Sequence, residues 1–279
     1  MKKIDTERYT ISELKEKLKG YNPSSELVED LRQDSRKGVQ KIADRLERRL
    51  EKEKNRRERW QKRGELRRNL RESGYRLICG LDEAGRGALA GPVAAGAVIL
   101  PDDCYIPFLD DSKQIDPVRR RLLAAEIKTK SLHWQVEMVS AVEIDRTNIL
   151  QTTKLAMLRA VRKLPVETDY LLIDGQIQLD SFSRAQQHIA QGDARINSIA
   201  AASILAKVTR DSLMVSCADY FPPYNFANNM GYGTARHRAA IEKFGPCVLH
   251  RRSYKTVKNA GKYSRRQRLP FADKQENCS

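Results

Sequence analysis

The run Ile78-Cys79-Gly80-Leu81 passes directly into two adjacent carboxylates, Asp82-Glu83. Gly85-Arg86-Gly87, Leu89-Ala90-Gly91-Pro92 and a second apolar run over residues 93–100 follow. A buried carboxylate is costly unless it is paired or holds a metal, so a core strand has no structural reason to end this way. The pattern predicts a strand that gives way to a tight turn, with acid and cation delivered together at its end. Carboxylate oxygens suit a hard divalent cation, and the glycines let backbone approach a ligand closely. The plain alternative is an acidic turn between two strands. A nucleotide loop does not fit. Gly85, Gly87 and Gly91 are spaced one residue too widely for the dinucleotide fingerprint, and strand-like residues follow where a helix should open.

A chain that ends a strand on acids needs a sheet to carry it, and residues 75–258 read as α/β. Strands are predicted over residues 75–81, 93–100 and 134–144, the last with Glu137 and Glu143 on its outer face. Asp116 as N-cap with Pro117 at the first helical position opens a helix to about Lys128. A second helix spans about residues 148–163, its apolar positions serving the core. Tyr170-Leu171-Leu172-Ile173-Asp174-Gly175 repeats the opening motif, an apolar run closed by one acid and a glycine. Gln191-Gly192-Asp193 brings a further loop acid just before a helix over residues 198–219, where Ala200-Ala201-Ala202-Ser203 permits close approach to neighbouring backbone. Asp211 is the rival fourth acid, but it lies mid-helix beside Lys207 and Arg210 as a salt-bridged residue would. Asp193, placed on a loop, is the favoured one.

Phosphodiester hydrolysis needs an activated water and a stabilised leaving oxyanion, which two divalent ions about 3.5–4 Å apart supply together. Asp82, Glu83, Asp174 and Asp193 make an all-oxygen set suited to Mg²⁺ or Mn²⁺, with Arg86 against substrate phosphate or hydroxyls. Tyr232, between Gly231 and Gly233, is an exposed aromatic able to stack on a sugar or base; the alternative is a tyrosine capping a turn. The segment Leu249-His250-Arg251-Arg252-Ser253-Tyr254-Lys255 reads as basic-aromatic contact with a nucleic-acid backbone.

Charge supports a polyanionic partner. Residues 1–78 carry 24 Lys/Arg against 15 Asp/Glu and residues 250–279 carry nine against two, so the formal net charge of +16 lies at the two ends. Residues 1–72 form a helical accessory domain and linker, with Val39, Ile42, Leu46 and Leu50 on one stripe and breaks at Gly20 and Gly64. Nucleic-acid contact and simple docking on the main domain are weighed equally for it. Beyond residue 258 the composition is that of a disordered basic tail. Five scattered cysteines without a C-x-x-C pair fit reduced thiols. No apolar run is long enough for a membrane span, and a soluble, cytoplasmic monomer is expected.

The ordered series Gly80-Leu81-Asp82-Glu83-Ala84-Gly85-Arg86-Gly87, Asp111-Ser112-Lys113, Ile173-Asp174-Gly175, Gly192-Asp193, Ala201-Ala202-Ser203-Ile204-Leu205-Ala206-Lys207-Val208-Thr209-Arg210-Asp211 and Gly231-Tyr232-Gly233-Thr234 resembles bacterial ribonuclease HII over residues 75–257. The N-terminal extension resembles that of some Gram-positive members. The resemblance implies an RNase H-like fold with a mixed five-stranded sheet flanked by helices. It implies cleavage of the RNA strand of RNA–DNA hybrids and of single ribonucleotides embedded in duplex DNA, leaving 3′-hydroxyl and 5′-phosphate ends. It also implies Asp82, Glu83, Asp174 and Asp193 as catalytic metal-binding acids. Gly85, Arg86 and Gly87 would read the 2′-hydroxyl, and Tyr232 would pack on the following sugar. Ala88, Gln191, Asn229 and Met230 depart from the family pattern and bear on phosphate grip. A non-catalytic nucleic-acid binder on the same scaffold is the alternative, which four retained acids that repel phosphate argue against.

Overall fold

The computed structural model describes residues 8–21, 23–109 and 116–259; Asp111-Ser112-Lys113 and the basic tail after residue 259 lie outside them. The chain divides into two compact units between Lys62 and Arg63. In the first, Thr10 opens α1 (Ile11–Lys17) through a reciprocal capping box with Glu13, and Ser24 caps α2 (Ser25–Arg32). With α3 (Lys37–Arg63) these helices enclose Leu14, Leu18, Leu27, Leu31, Val39, Ile42 and Leu46. Val39, Ile42 and Leu46, with Leu50 packed against them, are the apolar stripe read from the sequence. Gly64 separates α3 from α4 (Glu65–Glu72), whose Leu66 and Leu70 pack in the second unit against a cluster that includes Ile78, Leu172 and Ile199.

The second unit is built on a mixed sheet of order β3-β2-β1-β4-β5. The central strand β1 (Ile78–Ala84) runs antiparallel to β2 (Val93–Ile99) and parallel to β4 (Tyr170–Asp174). β2 pairs antiparallel with β3 (His133–Val139), and β4 pairs parallel with β5 (Ala185–Ile189). Two sequence expectations need correction. The third strand stops at Val139 instead of running to residue 144, because Ser140 and Glu143 form a capping box that opens α6 (Ala141–Arg146). The strand β5 has no apolar run to announce it, since Gln186, Gln187 and His188 are carried there by the ladder to β4.

The helix α5 (Pro117–Lys130) starts where Asp116 accepts from the Val118 and Arg119 amides, as its cap predicts, and α7 (Ile149–Arg162) starts on Asn148, which accepts from the Gln151 amide. Side chains alternate across a strand. Cys79, Leu81, Leu171 and Ile173 thus face a core with Ala156, Met157 and Ala160 of α7, while Gly80 and Gly96 face the long helix α9 (Asn197–Ala218). Helix and sheet meet backbone to backbone: a Cβ at Gly96 would stand 2.3 Å from the Ala202 carbonyl oxygen, and one at Gly80 2.3 Å from the Ser198 carbonyl carbon. Gly96→Ala therefore has no flexible neighbour to displace, and is expected to destabilise the second unit by about 3 kcal/mol, read as a lowered urea midpoint. A loss under about 0.5 kcal/mol, the range of surface changes, would show that the helix yields freely. Among the described residues no helix is long and apolar enough to cross a membrane.

Candidate active site

The site forms where β1 and β4 end. Leu81 pairs with Ile173 in the parallel ladder, so the next residues, Asp82 and Asp174, arrive side by side on the face turned to α9. Asp82 is only 5% exposed. Its Oδ1 accepts from the Glu83 amide at 2.7 Å, and it also takes a hydrogen bond from Ser203 on α9. Burial, with Glu83 and Asp174 adding like charge, pushes Asp82 well above the usual carboxylate range. Burial raises Glu83 as well, opposed by Arg86, which donates to Oε1 at 3.0 Å. The other Glu83 oxygen, Oε2, is buried and accepts no hydrogen bond.

Asp174 Oδ1 accepts from the Gly192 amide at 2.5 Å. A Cβ at Gly192 would lie 3.1 Å from that oxygen and 2.6 Å from the Ile199 Cδ1 methyl, so the turn packs closely on both. The next residue is Asp193, buried in the short helix α8 (Gly192–Arg195), with its carbonyl accepting from Arg63 Nη2 at 2.7 Å. Asp211 instead bonds Lys207 at 2.8 Å on α9, as its mid-helix setting predicts. Asp82, Glu83 and Asp174 feel one another electrostatically, yet among the described residues no three His, Cys, Asp or Glu side chains are grouped closely enough to hold a metal ion as they stand.

The turn after β1 is held from inside by two buried guanidiniums. Arg251 donates to the carbonyls of Gly85 (2.7 Å), Arg86 (2.8 Å), Gly91 (3.0 Å) and Pro92 (3.1 Å). Arg210 on α9 donates to those of Pro92, Ala90 and Met230. Gly85 sits at φ +90°, and a Cβ there would meet Arg210 Nε at 2.0 Å. The Tyr254 hydroxyl completes the clamp on the Arg86 carbonyl at 2.7 Å. This corrects the sequence reading of residues 249–255: Arg251 is fully buried and faces protein backbone, not a ligand. Neither arginine was singled out, because one lies in a helix and the other in a basic run. Ser203 was signalled only by the small-residue string.

Tyr232 lies on the neighbouring turn and is 38% exposed. The Leu89 and Ala90 amides both donate to the Gly231 carbonyl, at 2.8 and 3.2 Å, and the Arg210 guanidinium lies 5.3 Å from the Tyr232 ring. The two turns are thus one hydrogen-bonded unit beside the acids.

A family model for Ribonuclease HII matches residues 79–257, and one for Ribonuclease HII N-terminal domain matches residues 10–71. The chain is 52% identical over 188 residues to Ribonuclease HII of Moorella thermoacetica, covering 67% of this chain and 91% of that one. Its fold is similar to ribonuclease H2 of Pyrococcus horikoshii, with TM-score 0.57 at 21% identity over 66% of this chain and 97% of that one. It is also similar to Bst-RNase HIII in complex with Mn²⁺, with TM-score 0.53 at 18% identity over 67% and 70%. With its catalytic-domain and N-terminal models both matched, the chain belongs to the ribonuclease HII family of hydrolytic nucleases.

Proposed function

We propose that the protein is an endonuclease that cuts the RNA strand of RNA–DNA hybrids and cuts at single ribonucleotides embedded in duplex DNA. In this reading it uses Mg²⁺ or Mn²⁺, two ions to the site, and leaves 3′-hydroxyl and 5′-phosphate ends. The observation that carries it is the rigid attachment of Gly85-Arg86-Gly87 and Tyr232 to the strand end that bears the buried acids. The donor set fits a divalent cation: a buried Glu83 oxygen accepts no hydrogen bond, and Asp82 is held toward its protonated form by burial and like charge. Both costs are relieved by a bound positive ion. Asp82, Glu83, Asp174 and Asp193 would hold it. Once bound, such an ion lowers the pKa of a coordinated water and offsets charge on the leaving oxygen.

The chain's own residues supply selection and orientation. The 2′-hydroxyl is the one group that separates RNA from DNA at a given nucleotide, and glycines on both sides of Arg86 allow backbone to reach it. Arg86 stands at the rim, half-exposed and paired with Glu83, placed to exchange that partner for substrate. The exposed ring of Tyr232 offers a face for the neighbouring sugar. Basic residues at the two ends of the chain attract a polyanion that the acidic pocket alone would repel.

Duplex DNA carrying one ribonucleotide, its all-DNA twin and a long hybrid, each incubated with Mg²⁺ or Mn²⁺, test this. Cleavage of the first and third with 5′-phosphate ends is expected, with the all-DNA duplex intact. Cleavage of all three alike, or of none, would overturn it.

A further inference from the structure

Behind Tyr232 lies a buried imidazole pair that the site has not yet used. His237, on α11 (Ala235–Phe244), and His250 are 0% and 2% exposed. Their Nε2 atoms lie 3.0 Å apart. The Cys247 amide donates to His250 Nδ1 at 3.0 Å. A backbone amide can only donate, so His250 Nδ1 is an acceptor and its proton is on Nε2. That proton faces His237 Nε2, which must then accept it, and the His237 proton is left on Nδ1. His237 Nδ1 lies 2.8 Å from the Tyr232 carbonyl oxygen. One assignment of protons satisfies every atom in the series.

The surroundings keep both rings neutral and dry. The Tyr224 ring stands 4.7 Å from His250 and the Phe226 ring 5.5 Å from His237, both edge-on. Burial pushes His250 down to about 3 and lowers His237. The Cys247 thiol, 3.1 Å from His250 Nδ1, is pushed up to about 12 by burial and stays protonated.

We propose that His237 and His250 are positioning residues for Tyr232, a relay of two neutral imidazoles in one tautomeric arrangement that fixes the Tyr232 carbonyl and so the direction of its exposed ring. The Thr234 amide, 2.8 Å away, shares that carbonyl, and Arg210 anchors the Met230 carbonyl two residues before Tyr232. His237 thus sets the backbone between two fixed points. The role rests on the reading that Tyr232 meets the substrate sugar.

Two measurements test it. Long-range ¹⁵N–¹H correlation on the intact protein, from about pH 6 to 8, is expected to show His250 protonated on Nε2 only and His237 on Nδ1 only. The opposite tautomer, or a doubly protonated ring, would overturn the relay. Second, kcat/KM is measured on duplex DNA with one ribonucleotide for His237→Phe, which keeps the aromatic packing, for Tyr232→Ala, and for the double variant. His237→Phe is expected to lose about fivefold, the size of one lost hydrogen bond to a carbonyl that the Thr234 amide still serves. The double variant should be no worse than Tyr232→Ala, and His237→Asn, with an amide where Nδ1 stood, should recover most of the loss. Losses that multiply in the double variant would overturn the positioning role while leaving the Tyr232 contact standing. A Tyr232→Ala enzyme of normal activity would remove that contact, and the positioning role with it, without altering the tautomers. Should His237→Phe fail to fold, His237→Asn and the tautomers decide.

Discussion

Asp82→Asn is expected to lower cleavage by roughly 10³-fold or more while raising the melting temperature of the metal-free protein. The first effect follows from the proposed site. A cation that stabilises the transition state is worth several kcal/mol, each 1.4 kcal/mol is tenfold in rate, and an amide removes one anionic ligand. The second follows from linkage. Asp82 has a folded pKa well above its unfolded value, through burial first and the charges of Glu83 and Asp174 after it. The folded state therefore binds more protons than the unfolded chain as pH rises through that window, and stability falls there. An uncharged isostere removes that cost. Mn²⁺ must displace the same proton, so its stabilisation of the wild-type protein should grow with pH and vanish in the variant. Asp174→Asn should abolish cleavage likewise, with hybrid binding largely kept. Near-normal turnover of either variant, or a metal-free Asp82→Asn protein that melts lower, would sink this account.

Arg251→Met should destabilise the second unit by about 3 kcal/mol, since leaving a buried acceptor unpaired costs about 1–3 kcal/mol. The Gly91 carbonyl is left unpaired, whereas Gly85 keeps the Ala88 amide at 3.3 Å, Pro92 keeps Arg210 and Arg86 keeps Tyr254. Arg251→Lys should recover little, because an ammonium is a point charge and cannot span four carbonyls with a planar fork. The loosened turn carries Gly85-Arg86-Gly87, so kcat/KM on a ribonucleotide-containing duplex should fall as well, at temperatures where the variant remains folded. A urea midpoint within experimental error of wild type would show that the turn holds itself.

These expectations draw on different parts of what was readable in advance. Asp82, Glu83, Asp174 and Asp193 stand out in the sequence because acids that close apolar runs are costly to bury without a partner. The cap at Asp116, the stripe from Val39 to Leu46 and the close helix at Ala200-Ala201-Ala202 were readable because such signals act within a turn or two of chain. The same locality explains the misses. The capping box at Ser140 ended a strand that propensity alone would have continued. Gln186, Gln187 and His188 became a strand through a partner, with no pattern of their own.

By itself, then, the sequence determined most of the elements, the change from a helical to an α/β pattern, and which carboxylates stand out, while the division between the two units falls at Lys62 and Arg63, not after residue 72. Only the tertiary structure decided that Asp82 and Asp174 stand side by side, since that depends on the register of a parallel ladder between distant strands. It alone turned Arg251 from an apparent surface cation into the clamp on Gly85, 166 positions away, and paired His237 with His250 behind Tyr232. The physical reason is common to all three. Whether a polar side chain is solvated or buried depends on which backbone groups the fold brings to meet it, and burial makes that meeting obligatory.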